Sequence, residues 1–584
     1  MHYPRLSPRA RSRSIIEQFR GYVHGLRLRE GEFNAMENMS GDDYPMLAVR
    51  KPRGLVTTLT NPGGIIEKDA PCWVANGTLY VNGLATGVTG LTSGEKQLVS
   101  MGAYVLIFPD KVYYNTLDPT DTGSMEASYA VSNGSVTYTP CDADGNAYTI
   151  GSTGTTEPET PANGEIWVDT SEDTAVFRQW SQTDVMWVEI PTVYTKMTFT
   201  SRGQIPALFG QYDGVTIAGS QIDEINGEKV VYAVGGDTDH DDYLVVIALL
   251  EAAQTDTGQN ITVKRQLPQM DYVCECQNRL WGCFYGNANG ENLNEIYCSA
   301  LGDFKNFRQY LGLSTDSWTA SVGSDGPWTG AVNYLGSPCF FKENRIHRVS
   351  VSSSGAHRLE ETVCRGVQKG SYKSLCVVGE TLLYKSRTDV CAWQGGFPQS
   401  VSEALGDVPY YSAAAGSFGE KYYISMKDGS NAWSLFVYDL AKGLWHREDA
   451  LHALQMAKCH DSLYCIDAAT GKLWDLQGAA GTAESSIEWS AESGILGWAY
   501  PDHKYLSRYN ITVWMDEGSE LTVWLDYDSE GEWHEGGRIE DGGMGTRTLP
   551  IRPRRCDHMR LRLTGKGNMK LFSVTRILEV GKDA

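Results

Sequence analysis

The chain has 584 residues, 62 glycines, 11% aromatic residues and a formal net charge of −22. That length is too great for one core and predicts three or four domains, and the glycine and aromatic content together with β-branched runs predicts an all-β protein. No apolar run reaches the roughly 18 residues that span a bilayer, no apolar stretch follows the basic start Met1-His2-Tyr3-Pro4-Arg5, and the 13 cysteines are odd in number and scattered, so a membrane span, a secretory signal and a disulfide framework are not expected.

Residues 1–55 carry ten Lys and Arg against six Asp and Glu. Arg5, Arg9, Arg11 and Arg13 are spaced among Pro and Ser, the composition of a disordered or docking segment. We expect an arm that docks on a neighbour, with Arg9, Arg11, Arg13, Arg50, Lys51 and Arg53 as contacts. The other reading is a solvated basic tail.

Residues 56–115 hold strands around Leu79-Tyr80-Val81, Gln97 to Met101, Tyr104 to Phe108 and Lys111 to Tyr114, with a hairpin signal at Asn82-Gly83. They predict one or two blades of a β-propeller ahead of an insertion.

Residues 116–268 interrupt that pattern and carry six Lys and Arg against 23 Asp and Glu. So acidic a segment argues against nucleic-acid binding by phosphate neutralisation. It suits a solvated surface, or a wall past which a polyanion slides without sticking. We expect one or two small inserted β domains. Trp167, Trp180 and Trp187 are a possible sugar-stacking set, although Trp in a small β unit more often packs a core. Asp142, Asp144 and Asn146, and the run Asp237, Asp239, His240, Asp241 and Asp242, have calcium-loop ingredients. Neither has the distal Glu, so solvated turns are expected and no metal is assigned.

Residues 269–480 repeat one unit. Arg279-Leu280-Trp281-Gly282, Ser337-Pro338-Cys339-Phe340-Phe341, Thr381-Leu382-Leu383-Tyr384, Lys421-Tyr422-Tyr423-Ile424 and Ser462-Leu463-Tyr464-Cys465 each follow a turn. The last three steps are about 40 residues, the length of a four-stranded propeller blade. Their apolar residues alternate by two or run unbroken, which excludes a helical solenoid. Cys274 and Cys276 share one strand face and have no second pair at zinc-finger spacing, so they read as structural thiols. Residues 481–584 alternate cleanly with period two and predict a β-sandwich.

Several strings resemble a family of bacteriophage tail-completion proteins, the "stabilization proteins". They are Gly31-Glu32-Phe33, Met36 to Met39, Asp43-Tyr44-Pro45, Arg50 to Arg53, Asn278 to Gly282, Asn294 to Tyr297, Ala300 to Asp303, Ser314 to Ser317, Gly323 to Gly326, Phe340 to Asn344, Leu444 to Asp449 and Arg552 to His558. The family is similar to propeller-bearing tail nozzles and packaged-DNA stabilisation proteins. The resemblance implies a structural virion protein of the tail or neck, assembled in the host cytoplasm. It would form a homo-hexamer or other ring beside a portal, adaptor or tail protein. Phage DNA would pass through that ring without sequence-specific binding, retained after packaging and released at ejection.

No Gly-x-Ser-x-Gly elbow, His-Glu-x-x-His or phosphate loop is present. His446 with Glu448 and His534 with Glu535 lack a third partner. Ser324-Asp325-Gly326-Pro327-Trp328 has the ingredients of a sialidase Asp-box at the wrong spacing. The expectation is therefore a chain that is no enzyme and has no cofactor. The alternatives are a tail protein binding host-surface glycan through Trp167, Trp180 and Trp187, and a propeller glycosidase.

Overall fold

The computed structural model describes residues 11–580 except 26, 132–133, 258–259, 289, 353–355, 498–502 and 553. The protein is almost all β, with 53% strand and 2% helix. Among the described residues, no helix is long and apolar enough to cross a membrane.

Among the described residues, seven antiparallel sheets make up the larger part, six of four strands and the last of five. Their first strands are Pro62–Lys68, Gln97–Met101, Tyr272–Glu275, Gly330–Tyr334, Cys376–Val378, Tyr410–Phe418 and Ala453–Cys459. Each sheet packs on the next through its own apolar cluster. Val74 and Ile107 join the first to the second, Leu106 and Tyr297 the second to the third, and Trp281 and Phe340 the third to the fourth. Phe341 and Tyr384 continue to the fifth, Leu383 and Ile424 to the sixth, and Tyr423 and Leu463 to the seventh. Ile466 and Leu473 of the seventh then pack on Ile65 and Trp73 of the first, so the circuit closes.

Each inner strand is sandwiched between two neighbouring sheets, so both of its faces need apolar side chains. This explains the unbroken apolar runs of the repeat. Every residue of Ser337–Lys342 and of Thr381–Lys385 is buried. All five repeat copies lie on the second strand of a sheet, the third to the seventh.

The seventh sheet runs through a strand from the other end of the chain. Its fourth strand is Gly54–Thr58, which pairs antiparallel with Lys472–Asp475, Gly54 opposite Asp475 and Thr58 opposite Lys472, and on its other side with the short strand Thr482–Ala483. The arm expected over 1–55 is therefore corrected for its described part. Arg11–Ile16 pairs with the last strand, Met569–Val580, and Leu47–Val49 pairs with the same strand. Phe33–Glu37 pairs with Glu488–Ser493. Residues that read as a free basic tail are strands of the C-terminal region, whose partners lie at the other end of the chain.

That region has a seven-stranded and a five-stranded sheet. Leu506, Tyr509, Ile511 and Val513 of one share an apolar cluster with Leu521, Val523, Leu561 and Leu563 of the other. Tyr422, Phe436 and Trp445 of the sixth sheet belong to the same cluster. The region is thus fused to the side of the circuit by shared core.

The insertion leaves after Thr122–Ser124 and returns at Tyr272, between the second and third sheets. It holds an eight-stranded sheet with its own core and a separate four-stranded sheet. The expected calcium-like turns are closed by the chain itself. Asp142 Oδ1 accepts the backbone N–H of Asp144 and Asn146, and Asp237 Oδ1 accepts those of Asp239 and His240. Asp242 is not on a solvated turn. It is fully buried and accepts N–H bonds from Gly203, Gln204 and Ile205 at the start of the short helix Ile205–Leu208.

Candidate functional site

Where the first strands of the sheets begin, a cavity of about 370 Å³ draws its lining from five of the seven sheets. Glu95 comes from the turn before the second sheet, and Tyr272 opens the third. Tyr372 and Lys373 precede the fifth, Lys427 and Trp433 flank a hairpin of the sixth, and His452 immediately precedes the seventh. Sheets so far apart in sequence meet only because the circuit closes, which puts the cavity at its centre.

Lys373 Nζ lies 2.8 Å from Glu95 Oε2. The imidazole of His452 stacks on Trp433 with centroids 3.8 Å apart and planes 15° apart, and the rings of Tyr272 and Tyr372 lie 5.2 Å apart. Burial lowers the Lys373 pKa, and the Glu95 hydrogen bond and charge only partly restore it. Burial also lowers His452, with Lys373 and Lys427 adding to the effect and Asp467 and Glu95 opposing it. Burial pushes the Tyr272 phenol up to about 12. Burial thus favours the uncharged forms of Lys373, His452 and Tyr272. Among the described residues, Lys427 Nζ, Trp433 Nε1 and the Tyr272 and Tyr372 hydroxyls have no hydrogen-bonding partner in the protein.

None of these residues stood out in the sequence. One signal was available: Lys342, Lys385 and Lys427 recur at or next to the end of the second strand in three consecutive sheets.

The six expected docking cations are placed differently from one another. Arg9 lies outside the described residues. Arg11 sits in the first strand, Arg13 is exposed on it, and Lys51 is exposed. Arg50 and Arg53 are corrected, because both are buried in ion pairs within the chain. Arg50 Nη1 lies 2.7 Å from Glu484 Oε2. Arg53 Nη2 and Nη1 lie 2.7 Å from Glu448 Oε2 and 2.7 Å from Asp449 Oδ2. A guanidinium committed to two carboxylates in the interior is not available to a neighbour.

The tryptophan set is also mainly interior. Trp167 and Trp187 are 6% and 8% exposed, and Trp180 is half-buried. Trp187 meets Trp167 and Trp180 edge-on with centroids 5.5 and 5.4 Å away. A stacking platform needs an open ring face, and Trp167 and Trp187 do not offer one.

Glu530, Glu532 and His534 stand close enough to share a cation. Arg554 already occupies two of the three: its Nη2 bonds both Glu530 oxygens at 2.7 and 2.6 Å, and its Nη1 lies 3.0 Å from His534 Nε2.

No protein-family model matches the chain, and no curated protein does. Solved structures do match. A family 43 arabinoxylan arabinofuranohydrolase from Bacillus subtilis is 10% identical, with 55% of this chain and 96% of that one covered and a TM-score of 0.19. An exo-beta-1,3-galactanase from Phanerochaete chrysosporium is 8% identical, with 52% and 94% covered and a TM-score of 0.20. Both are glycoside hydrolases, and that overturns the expectation that this chain is no enzyme, which is dropped. At TM-scores of 0.19 and 0.20 they carry no substrate or reaction across to it.

Proposed function

We propose that the chain is a building block of a bacteriophage tail or neck, one copy in a ring around the DNA channel that retains the packaged genome and lets it pass at ejection. In this reading the seven sheets form a β-propeller and the C-terminal pair a β-sandwich. The observation that supports it is where the family-like strings fall. Arg50 to Arg53 meets Leu444 to Asp449 in the buried Arg53–Glu448–Asp449 cluster, and Arg447 Nη1 donates to the Met36 carbonyl. Arg279 donates to the carbonyls of Ser314 and Asp316, and the Gly302 N–H donates to the Asn278 carbonyl, tying three more of the strings together. Strings scattered along the sequence are thus mutual contacts that brace the fold, as a shared architecture requires.

A block whose sheets are locked to one another by shared cores suits load-bearing in a closed ring of identical copies. The acidic insertion, if it lines the bore, keeps DNA mobile by like-charge repulsion, screened beyond about 8 Å at physiological salt. The test is electron microscopy of the purified chain and of virions labelled with an antibody against it. Closed rings and label on the tail or neck are expected. A chain that stays monomeric at high concentration and is absent from virions would sink the reading.

A further inference from the structure

We infer that the central cavity binds an anionic monosaccharide unit, a pyranose bearing a carboxylate. The inference goes beyond the assembly reading and does not depend on it. Four observations carry it. The volume, about 370 Å³, lies within the range of small-molecule sites and suits one sugar unit. The walls come from five sheets fixed by shared cores, so the cavity is formed before any ligand arrives.

The third observation is charge. In a chain of net charge −22, Lys427 has no ion-pair partner among the described residues, and Lys373 has only Glu95. The adjacent Asp428 is consumed by its own hairpin, where Oδ1 accepts the N–H of Ser430 and Ala432. A half-buried ammonium without a counter-charge is ready for a carboxylate.

The fourth is the excess of donors. Lys427 Nζ, Trp433 Nε1 and the Tyr272 and Tyr372 hydroxyls all lack partners in the protein, and Glu95 is the lining carboxylate that accepts. A wall rich in donors and aromatic rings complements a ring rich in acceptor oxygens with apolar C–H faces.

The experiment titrates the full chain with D-glucuronate, D-glucose and inorganic phosphate, read by calorimetry and ligand-observed NMR. Glucuronate is expected to bind at least tenfold more tightly than glucose or phosphate. Lys427→Met and Trp433→Ala should each weaken it at least tenfold while leaving the melting temperature unchanged, and Lys472→Met, on the outer part of the seventh sheet, should not. No glucuronate binding, phosphate binding as tight as glucuronate, or unchanged binding in Lys427→Met would each overturn the inference. Should Lys427→Met melt early, Tyr272→Phe supplies the second reading, and unchanged glucuronate affinity in it would count against the site.

Discussion

Arg53 donates to Glu448 and Asp449 from a position only 3% exposed. Replacing it with Met would leave Glu448 nearly buried without its closest cation. Breaking such a pair from one side costs about 3–5 kcal/mol, so Arg53→Met should lower the urea midpoint by that equivalent. A change under about 1 kcal/mol would show the cluster to be surface-like. Acid should act through two sets of groups. Burial lowers His446 to about 3 and His347 to about 4, while both return to about 6.5 on unfolding. Their contribution is complete above about pH 6.5. Below that the unfolded chain takes protons the folded one refuses, and each site loses about 1.4 kcal/mol per pH unit. For Glu484, burial alone would raise the pKa, but Arg50 and Arg53 outweigh it and hold it low. Asp449 is held low in the same way by Arg53. These carboxylates contribute stability above their ordinary pKa near 4 and lose it as pH falls through their depressed values. Melting temperature should therefore decline from about pH 6.5 and go on declining below 4. A flat profile from pH 7 to 4.5 would contradict the buried neutral histidines.

At the scale of the element, Gly54–Thr58 completes the seventh sheet and so fastens the circuit. A Cβ on Gly54 would stand 1.7 Å from the Ala480 carbonyl oxygen. Backbone cannot yield as a flexible side chain can, so Gly54→Val should force this strand off its partner. We expect a clear fall in melting temperature and faster proteolysis between residues 54 and 62. An unaltered cleavage pattern would mean the strand is dispensable. The repeat was legible in the sequence because burial on both faces writes itself locally, as in Thr381–Lys385. The strands of the N-terminal segment were not. Arg11–Ile16 pairs with residues 574–579, and no local pattern encodes a partner so distant. Arg50 and Arg53 read as free cations for the same reason, since Glu448 and Glu484 answer them from the far end of the chain. The central cavity was illegible too: each of five sheets gives it only a few side chains, from strands and turns, and only closure brings them together.

At the scale of the whole molecule, Ile16 and Phe19 lie in the core cluster shared by the C-terminal sheets and the sixth sheet. Removing residues 1–20 would therefore unfasten core, and a loss of assembly in that truncation would not separate docking from folding. Removing residues 1–10 is the cleaner test of a docking role. We expect a variant with unchanged melting temperature that no longer joins virions. Normal incorporation would refute docking by that segment. The closed circuit of seven sheets and the fused C-terminal pair also predict one cooperative transition for both, with the insertion, which has a core of its own, free to melt separately.

The strand that fastens the seventh sheet has a further consequence, and it concerns time. Gly54–Thr58 leaves the ribosome early, yet Lys472–Asp475, against which it lies, is made some 400 residues later. At about 5–20 residues per second the early segment waits on the order of 20 to 80 s without its mate. During that interval the growing polypeptide exposes an unsatisfied β edge at each end of an incomplete circle. Slowing translation should therefore raise the yield of insoluble product, and supplying chaperones should recover it.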